Sequence, residues 1–385
     1  MKEVVVIDFT RTALVKPVTS FAQLASHDLA AACIADLIKR TKLPKDAVQD
    51  VVFGQSIITT FPYNLARYST VLAGLPVETP GYTVQCIEAS GLQALQNAYH
   101  LAATENSEII IAGGADSYSA APYVIREARY SYDPEVNKVA DTITEVDQYT
   151  QPAPLKKADL IQALASVSGY TLEQQHAAVA RSFKKAIEAK KQGVWTKHIT
   201  PIIIKDRKKG ELVYTEDTFL AANEPTVTQY GVPINADGAC AMLVMTPQEA
   251  KRHNLAPIAS IKGVAFAACA PMDSWQGAVL AIEKLLVKKS LTFADIDLFE
   301  IREDSAAAML AIIEMLGHKA GIDVNKITER INPYGGSLAL GSNAGADGTI
   351  LVCSLMLGLQ KSGKKRGIAT ASAAGGQGIA ILIEL

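Results

Sequence analysis

The stretch SGLQALQNAYHLAAT (90–104), which runs into EIIIAGG (108–114), decides how this chain is read. The first part spaces its apolar residues as one face of a helix, with Ser90 as a candidate N-cap. The second is an unbroken apolar run of strand length that ends on paired glycines. Upstream, VVVIDF (4–9) has the β-branched character of a buried strand, Ser26 to Thr41 carries a helical apolar side, and VQDVVFGQ (48–55) reads as another strand. Alternation of this kind predicts a central sheet with helices on both faces. The order returns downstream: DIDLFEI (295–301), a Ser/Gly-rich turn NPYGGSLALGSNAGADG (332–348), a helix at about 346–360, then RGIATASAAGGQGIAILIE (366–384) with a glycine turn between two strands. Two halves of the same pattern imply a duplication.

Composition narrows the function classes. The 385 residues are 49% hydrophobic and 20% charged, the balance of a folded protein with a large core. Thirty-seven basic against 39 acidic residues leave a net charge of −2, so nothing draws a nucleic-acid backbone or an anionic membrane surface. The longest apolar run, Ala306 to Ile313, is far short of the ~18 residues of a membrane helix. With no signal-like start, the expected location is the cytoplasm. Five scattered cysteines, Cys33, Cys86, Cys240, Cys269 and Cys353, read as buried thiols, and no metal site is expected. Between the halves, Pro152, Pro154, a long amphipathic helix (172–193) and the pairs Lys156/Lys157, Lys184/Lys185 and Lys190/Lys191 mark a large insertion whose lysines read as a solvated face. The domain reading is therefore 1–119 plus about 240–265 for the first half, 120–239 for the insertion and 266–385 for the second half.

Taken together, DFTRTA (8–13), GQSI (54–57), NLAR (64–67), AGLPVETP (73–80), SGLQAL (90–95), IAGGADSYSAAPY (111–123), TVTQYGVPINADGA (226–239), DIDLFEIREDSAAA (295–308), NPYGGSLALGS (332–342) and GGQGIAILIE (375–384) resemble, in order and spacing, the thiolase family. These enzymes make and break β-ketoacyl-CoA thioesters through an acyl-cysteine. The resemblance implies a five-layered α/β/α/β/α fold of two duplicated halves with an inserted CoA-holding loop domain, assembled as a homodimer or homotetramer. It implies CoA or acyl-CoA as a ligand and no permanently bound cofactor.

The family's chemical positions are replaced. Anchored on SGLQAL, the nucleophilic Cys falls on Glu88. The Asn of the oxyanion hole falls on Arg302, with the following Glu303 retained. The activating His falls on Ser342, and the second Cys, counted back from Gly375-Gly376, on Ser372. On the CoA side, a family serine falls on Pro233, which has no hydroxyl and no N–H, and a His-Met pair falls on Lys156-Lys157. Cys86 would sit back in the strand and reads as core, and none of His27, His100, His176, His198, His253 and His318 lies in the glycine-rich turn; His318 reads as a surface-loop residue. Retained Gly113-Gly114, Gly335-Gly336 and Gly375-Gly376 read as tight-turn residues.

A buried carboxylate is tolerated when paired, so a Glu88–Arg302 ion pair is the simplest expectation, with Glu303 and Asp304 competing for the same guanidinium. Three functions stay open. One is a non-catalytic or regulatory acyl-CoA-binding protein; another is a decarboxylase, hydratase or retro-aldol enzyme using Glu88 as general base; the third is the acetyl-CoA acetyltransferase that homology would suggest.

Overall fold

Strand β1 (Val4–Arg11) shows how the layers arise. Its alternate residues point to opposite faces: Val4 and Val6 enter the central core, while Val5 and Ile7 enter a second core under α1 (Ser26–Thr41). The last strand does the same with Ile379, Ile381 and Ile383 against Ala380 and Leu382. Both faces are apolar, so the sheet must be covered on both.

The computed structural model describes residues 2–59, 61–148, 156–206, 208, 210–220 and 231–385. Pro152, Pro154 and the 226–230 part of the family-like segment lie outside them. After β1 and α1 come β2 (Asp50–Gly54), α2 (Leu65–Leu72), β3 (Gly81–Val84), α3 (Ser90–Ala103) and β4 (Ile109–Asp116). The insertion holds the hairpin β5 (Tyr123–Ile125) and β6 (Val139–Asp141), helices α4 (Thr142–Gln148), α5 (Lys157–Ser168) and α6 (Leu172–Lys191), and the hairpin β7 (Ile202–Asp206) and β8 (Gly210–Tyr214). Then follow β9 (Gly238–Met245), α7 (Pro247–Arg252), β10 (Ala259–Ala268), α8 (Gly277–Lys289), β11 (Leu298–Ile301), α9 (Ala306–Ala320), α10 (Val324–Glu329), α11 (Ser337–Leu340), α12 (Ala344–Ser362), β12 (Arg366–Ala373) and β13 (Gln377–Glu384).

The duplication is visible in the strand order β11-β12-β13-β10-β1-β9-β4-β2-β3. Outward from the β1/β10 junction, each half runs antiparallel, antiparallel, parallel: β1, β9, β4, β2 on one side and β10, β13, β12, β11 on the other. The junction is short, pairing Val4–Val6 with Ile261–Ala259, and beyond it the halves enclose α3 and α12. Helix α12 is buried at 15 of its 19 residues, which suits a helix lying between two sheets. Helices α1 and α2 cover one outer face, and α8 and α9 the other. These are the five layers that the family resemblance implies.

Several local expectations are corrected. Gly113 and Gly114 lie inside β4 and not in a turn; a Cβ on Gly114 would fall on the Gly345 carbonyl at the start of α12, so glycine here permits close approach of the two halves. His318 is in the last turns of α9, Cys269 is only partly buried, and Ser90 is the first residue of α3 with Ala89 at the cap. Nor are the insertion's lysines all solvated, since the half-buried Lys185 donates to the Ile331 carbonyl at 2.6 Å. Among the described residues no helix is long and apolar enough to cross a membrane.

Candidate active site

Between β3 and α3 the chain makes a tight turn through Ile87, Glu88 and Ala89. Ser90 Oγ closes it, accepting from the Cys86 N–H at 2.8 Å and donating to the Ile87 carbonyl at 2.7 Å. Ile87 takes φ 46°, a left-handed conformation that costs a β-branched residue about 1–3 kcal/mol, so this turn is held against its own preference. Its effect is to aim Glu88 into the protein, where the residue is 6% exposed. Glu88 Oε2 accepts from the Ala374 N–H at 2.9 Å, and Oε1 meets Lys157 Nζ at 3.3 Å. Burial by itself would raise the carboxyl's pKa, but the Lys157 and Arg302 charges and the Ala374 amide prevail and hold it down to about 2.

The expected Glu88–Arg302 contact is therefore replaced by Glu88–Lys157, and Arg302 is engaged elsewhere. Its Nε donates to Asp347 Oδ2 at 2.9 Å, its Nη2 to Ser342 Oγ at 2.7 Å, and its Nη1 is in an ion pair with Asp304 that lacks hydrogen-bond geometry. Ser342 in turn donates to Asp347 Oδ2 at 2.8 Å, closing a buried triangle of Arg302, Ser342 and Asp347. Asp304 does compete for the guanidinium as expected. Glu303 does not: it accepts from Ser182 Oγ at 2.8 Å, the Leu338 N–H at 2.9 Å and Asn332 Nδ2 at 3.2 Å, and so ties α6 of the insertion to the core.

A cavity of ≈ 580 Å³, within the range of small-molecule sites, brings Glu88, Arg302, Ser342, Lys157 and Pro233 onto one wall system. Ser372 faces a smaller hollow of ≈ 60 Å³ that shares Glu88 and Lys157 with the first. Its hydroxyl is consumed, accepting from the Ala278 N–H and donating to the Trp275 carbonyl, both at 3.0 Å. Lys156 stands exposed at the start of α5 and lines neither space.

Reading the sequence by itself misses Asp347, Asn343 and Asp116. Asn343 Nδ2 gathers the carbonyls of Asp116, Ala236 and Gly238 while its Oδ1 caps α12 through Ala346 N–H at 3.1 Å. Asp116, fully buried, accepts from the Ser56, Ile57 and Gly345 amides, and burial outweighs them to push its carboxyl up to about 7. An Asn-x-x-x-Asp step at a helix start is the only signal the sequence offers for the first two. Burial pushes the Cys86 thiol up to about 11 and also raises those of Cys33, Cys240 and Cys269, so none of these four is activated by its setting. Among the described residues no three His, Cys, Asp or Glu side chains group as metal ligands.

The model of the thiolase N-terminal domain matches residues 4–248, and that of the C-terminal domain matches 255–385. The chain belongs to the thiolase family. It is 30% identical over 397 residues to an acetyl-CoA acetyltransferase of Chromobacterium violaceum, covering 99% of each chain. It is 32% identical over 408 residues to a β-ketoadipyl-CoA thiolase of Pseudomonas knackmussii, covering 100% of this chain and 99% of the other. The crystal structure of the Bacillus anthracis acetyl-CoA acetyltransferase superposes with a TM-score of 0.91 at 28% identity, and that of human mitochondrial 3-ketoacyl-CoA thiolase with 0.90 at 26%. Each superposition covers 100% of this chain and 99% of the other. The five-layered fold of two duplicated halves is thus that of a thiolase.

Proposed function

We propose that this thiolase-family protein binds CoA or acyl-CoA in the cavity beside Glu88 and does not carry out thiolysis. The observation that carries the reading is the state of the Glu88 carboxylate. It occupies the position where the family resemblance places a thiolate, and it is neutralised by Lys157 and the Ala374 amide. A carboxylate makes no acyl-thioester, and Ser342, at the His position, is locked between Arg302 and Asp347 and cannot take a proton from an incoming CoA thiol. The same geometry weakens the general-base alternative. A base works best with a pKa near the operating pH, and a carboxyl held down to about 2 keeps little affinity for the proton it would remove. Acetyl-CoA acetyltransferase activity, which the relatives' names would transfer, requires a nucleophile and a base that these four positions lack. A homodimer or homotetramer with transient acyl-CoA as ligand and a cytoplasmic location complete the proposal.

Two measurements test it together. Calorimetric titration with CoA and acetyl-CoA is expected to give saturable binding. Following acetoacetyl-CoA loss at saturating CoA is expected to show turnover at least a thousandfold below the ~10 per second of ordinary enzymes. Turnover near that typical value would overturn the reading; absence of any binding would leave the fold without its proposed ligand.

A further inference from the structure

Most of the charged groups on the cavity wall are paired with one another. Glu88 is engaged by Lys157 and the Ala374 amide, Arg302 by Asp304, Asp347 and Ser342, and Ser342 by Asp347. Two uncharged hydroxyls of the wall, those of Ser56 and Tyr118, have no partner among the described residues, and Tyr118 carries its hydroxyl on the longer side chain. It follows Asp116 and Ser117 at the end of β4, is 9% exposed, and forms part of the same wall, yet its hydroxyl meets no acceptor among the described residues and is not among the sealed, unpaired polar atoms. What exposure the residue keeps is therefore toward the cavity. Burial first, and then the nearby Asp116, Asp347 and Glu88 charges, hold this phenol well above its ordinary range despite Arg302, so it remains a protonated donor.

An unpartnered donor on a cavity wall is free to meet an acceptor that a ligand brings in. The charge balance says which kind. Lys157 and Arg302 face Glu88, Asp304 and Asp347 at close range, the one further cation among the described lining residues, Lys16, is exposed, and the charges that act on Tyr118 are Asp116, Asp347 and Glu88 against Arg302, so its surroundings disfavour a carboxylate. A neutral oxygen acceptor fits better. We propose that Tyr118 donates to the carbonyl oxygen of the ligand's thioester, making this cavity selective for acylated over unacylated or alkylated CoA. The proposal rests on the acyl-CoA-binding reading for its ligand. It assigns to Tyr118 a specificity role for which the sequence pattern gives no cue.

The test compares acetyl-CoA with S-ethyl-CoA, which keeps the sulfur and carbon chain and lacks only the carbonyl. The protein is expected to bind acetyl-CoA about fivefold more tightly, the effect of one neutral hydrogen bond. In Tyr118→Phe the two should bind alike, with the S-ethyl-CoA affinity unchanged. Equal affinities in the unaltered protein, or a preference that survives in Tyr118→Phe, would overturn the assignment. A second arm separates this from failure of CoA binding. With 13C-labelled tyrosine Cζ, the resonance missing from Tyr118→Phe is followed while S-methyl thioacetate, a thioester with no CoA portion, is added; ethyl methyl sulfide is the control. A saturable shift with the thioester alone supports the carbonyl site even where CoA does not bind, and no shift overturns it.

Discussion

Arg302 shows how a pairing expectation can be right in kind and wrong in partner. Its guanidinium, 3% exposed, is bonded to Asp347, 45 residues on, and to Ser342. Arg302→Ala is expected to destabilise by ~3–5 kcal/mol by stranding buried carboxylates. In double-mutant cycles by chemical denaturation, coupling of Arg302 with Asp347 should exceed its coupling with Glu88; the reverse order would contradict the triangle. Buried carboxyls elsewhere set a pH dependence of opposite sign to Glu88. Burial pushes Glu300, which accepts from Ser354 Oγ at 2.7 Å, up to about 8 from an ordinary 4.5. A raised carboxyl binds its proton more tightly when folded. Its contribution is therefore complete below 4.5 and is lost as pH rises toward about 8. Glu300→Gln should flatten the fall in stability between pH 5 and 8, measured by urea titration at each pH, and an unchanged slope would refute this. The motifs fix positions along the chain, and so the sequence supplies an expectation of which residues stand at the family's chemical positions. It did not show their partners, because Lys157 reaches Glu88 from an inserted helix and Asp347 reaches Arg302 from the far side of a glycine turn.

At the scale of elements, α5 is attached to the core partly through its first residue. The Lys157–Glu88 pair joins the insertion to the turn before α3, and Lys157's side chain is 29% exposed, so the pair is only partly screened. Glu88 is held below its ordinary 4.5, so its share of stability is complete above that range and is lost as pH falls toward about 2. Glu88→Gln should speed hydrogen exchange at the start of α5 at pH 7 while leaving α12 protected, and should make acid unfolding less steep; equal exchange in both proteins would show that the pair does not hold α5. Long elements were legible from periodicity: α1 was read over Ser26 to Thr41 and is found there, and α6 ends two residues before its predicted limit. The strand predicted at 295–301 shrinks to Leu298–Ile301 because Phe293–Asp295 turns in a short 3₁₀ helix, capped by Thr292 and Asp295. Paired glycines in β4 looked like a turn because composition records the missing side chain and not what needs its space.

For the whole molecule, the two ends of the nine-stranded sheet are unequal. Strand β11 is covered on its outer side, where Phe299 N–H donates to the Arg330 carbonyl at 2.8 Å and the Asn332 N–H returns to the Phe299 carbonyl at 2.9 Å. Among the described residues no strand covers β3 at the other end, where Asn64 Nδ2 reaches the Gly81 carbonyl at 2.9 Å. Beside this open edge stand Phe61, Tyr63, Val71 and Leu72, exposed by 66%, 87%, 45% and 51%. An open edge with apolar neighbours is a pairing surface that an isolated protein would ordinarily block. Two copies meeting antiparallel at β3 would continue the sheet and bury this patch, in keeping with the dimer proposed for the chain. Sedimentation at micromolar concentration should therefore give at least twice the 41.0 kDa of one chain. Placing charges on the outer side of α2 with Val71→Lys and Leu72→Lys should shift the species to a monomer that retains its circular dichroism. A 41.0 kDa species before any substitution would mean that β3 is left open in solution. A dimer unmoved by the two lysines would place the interface on another face.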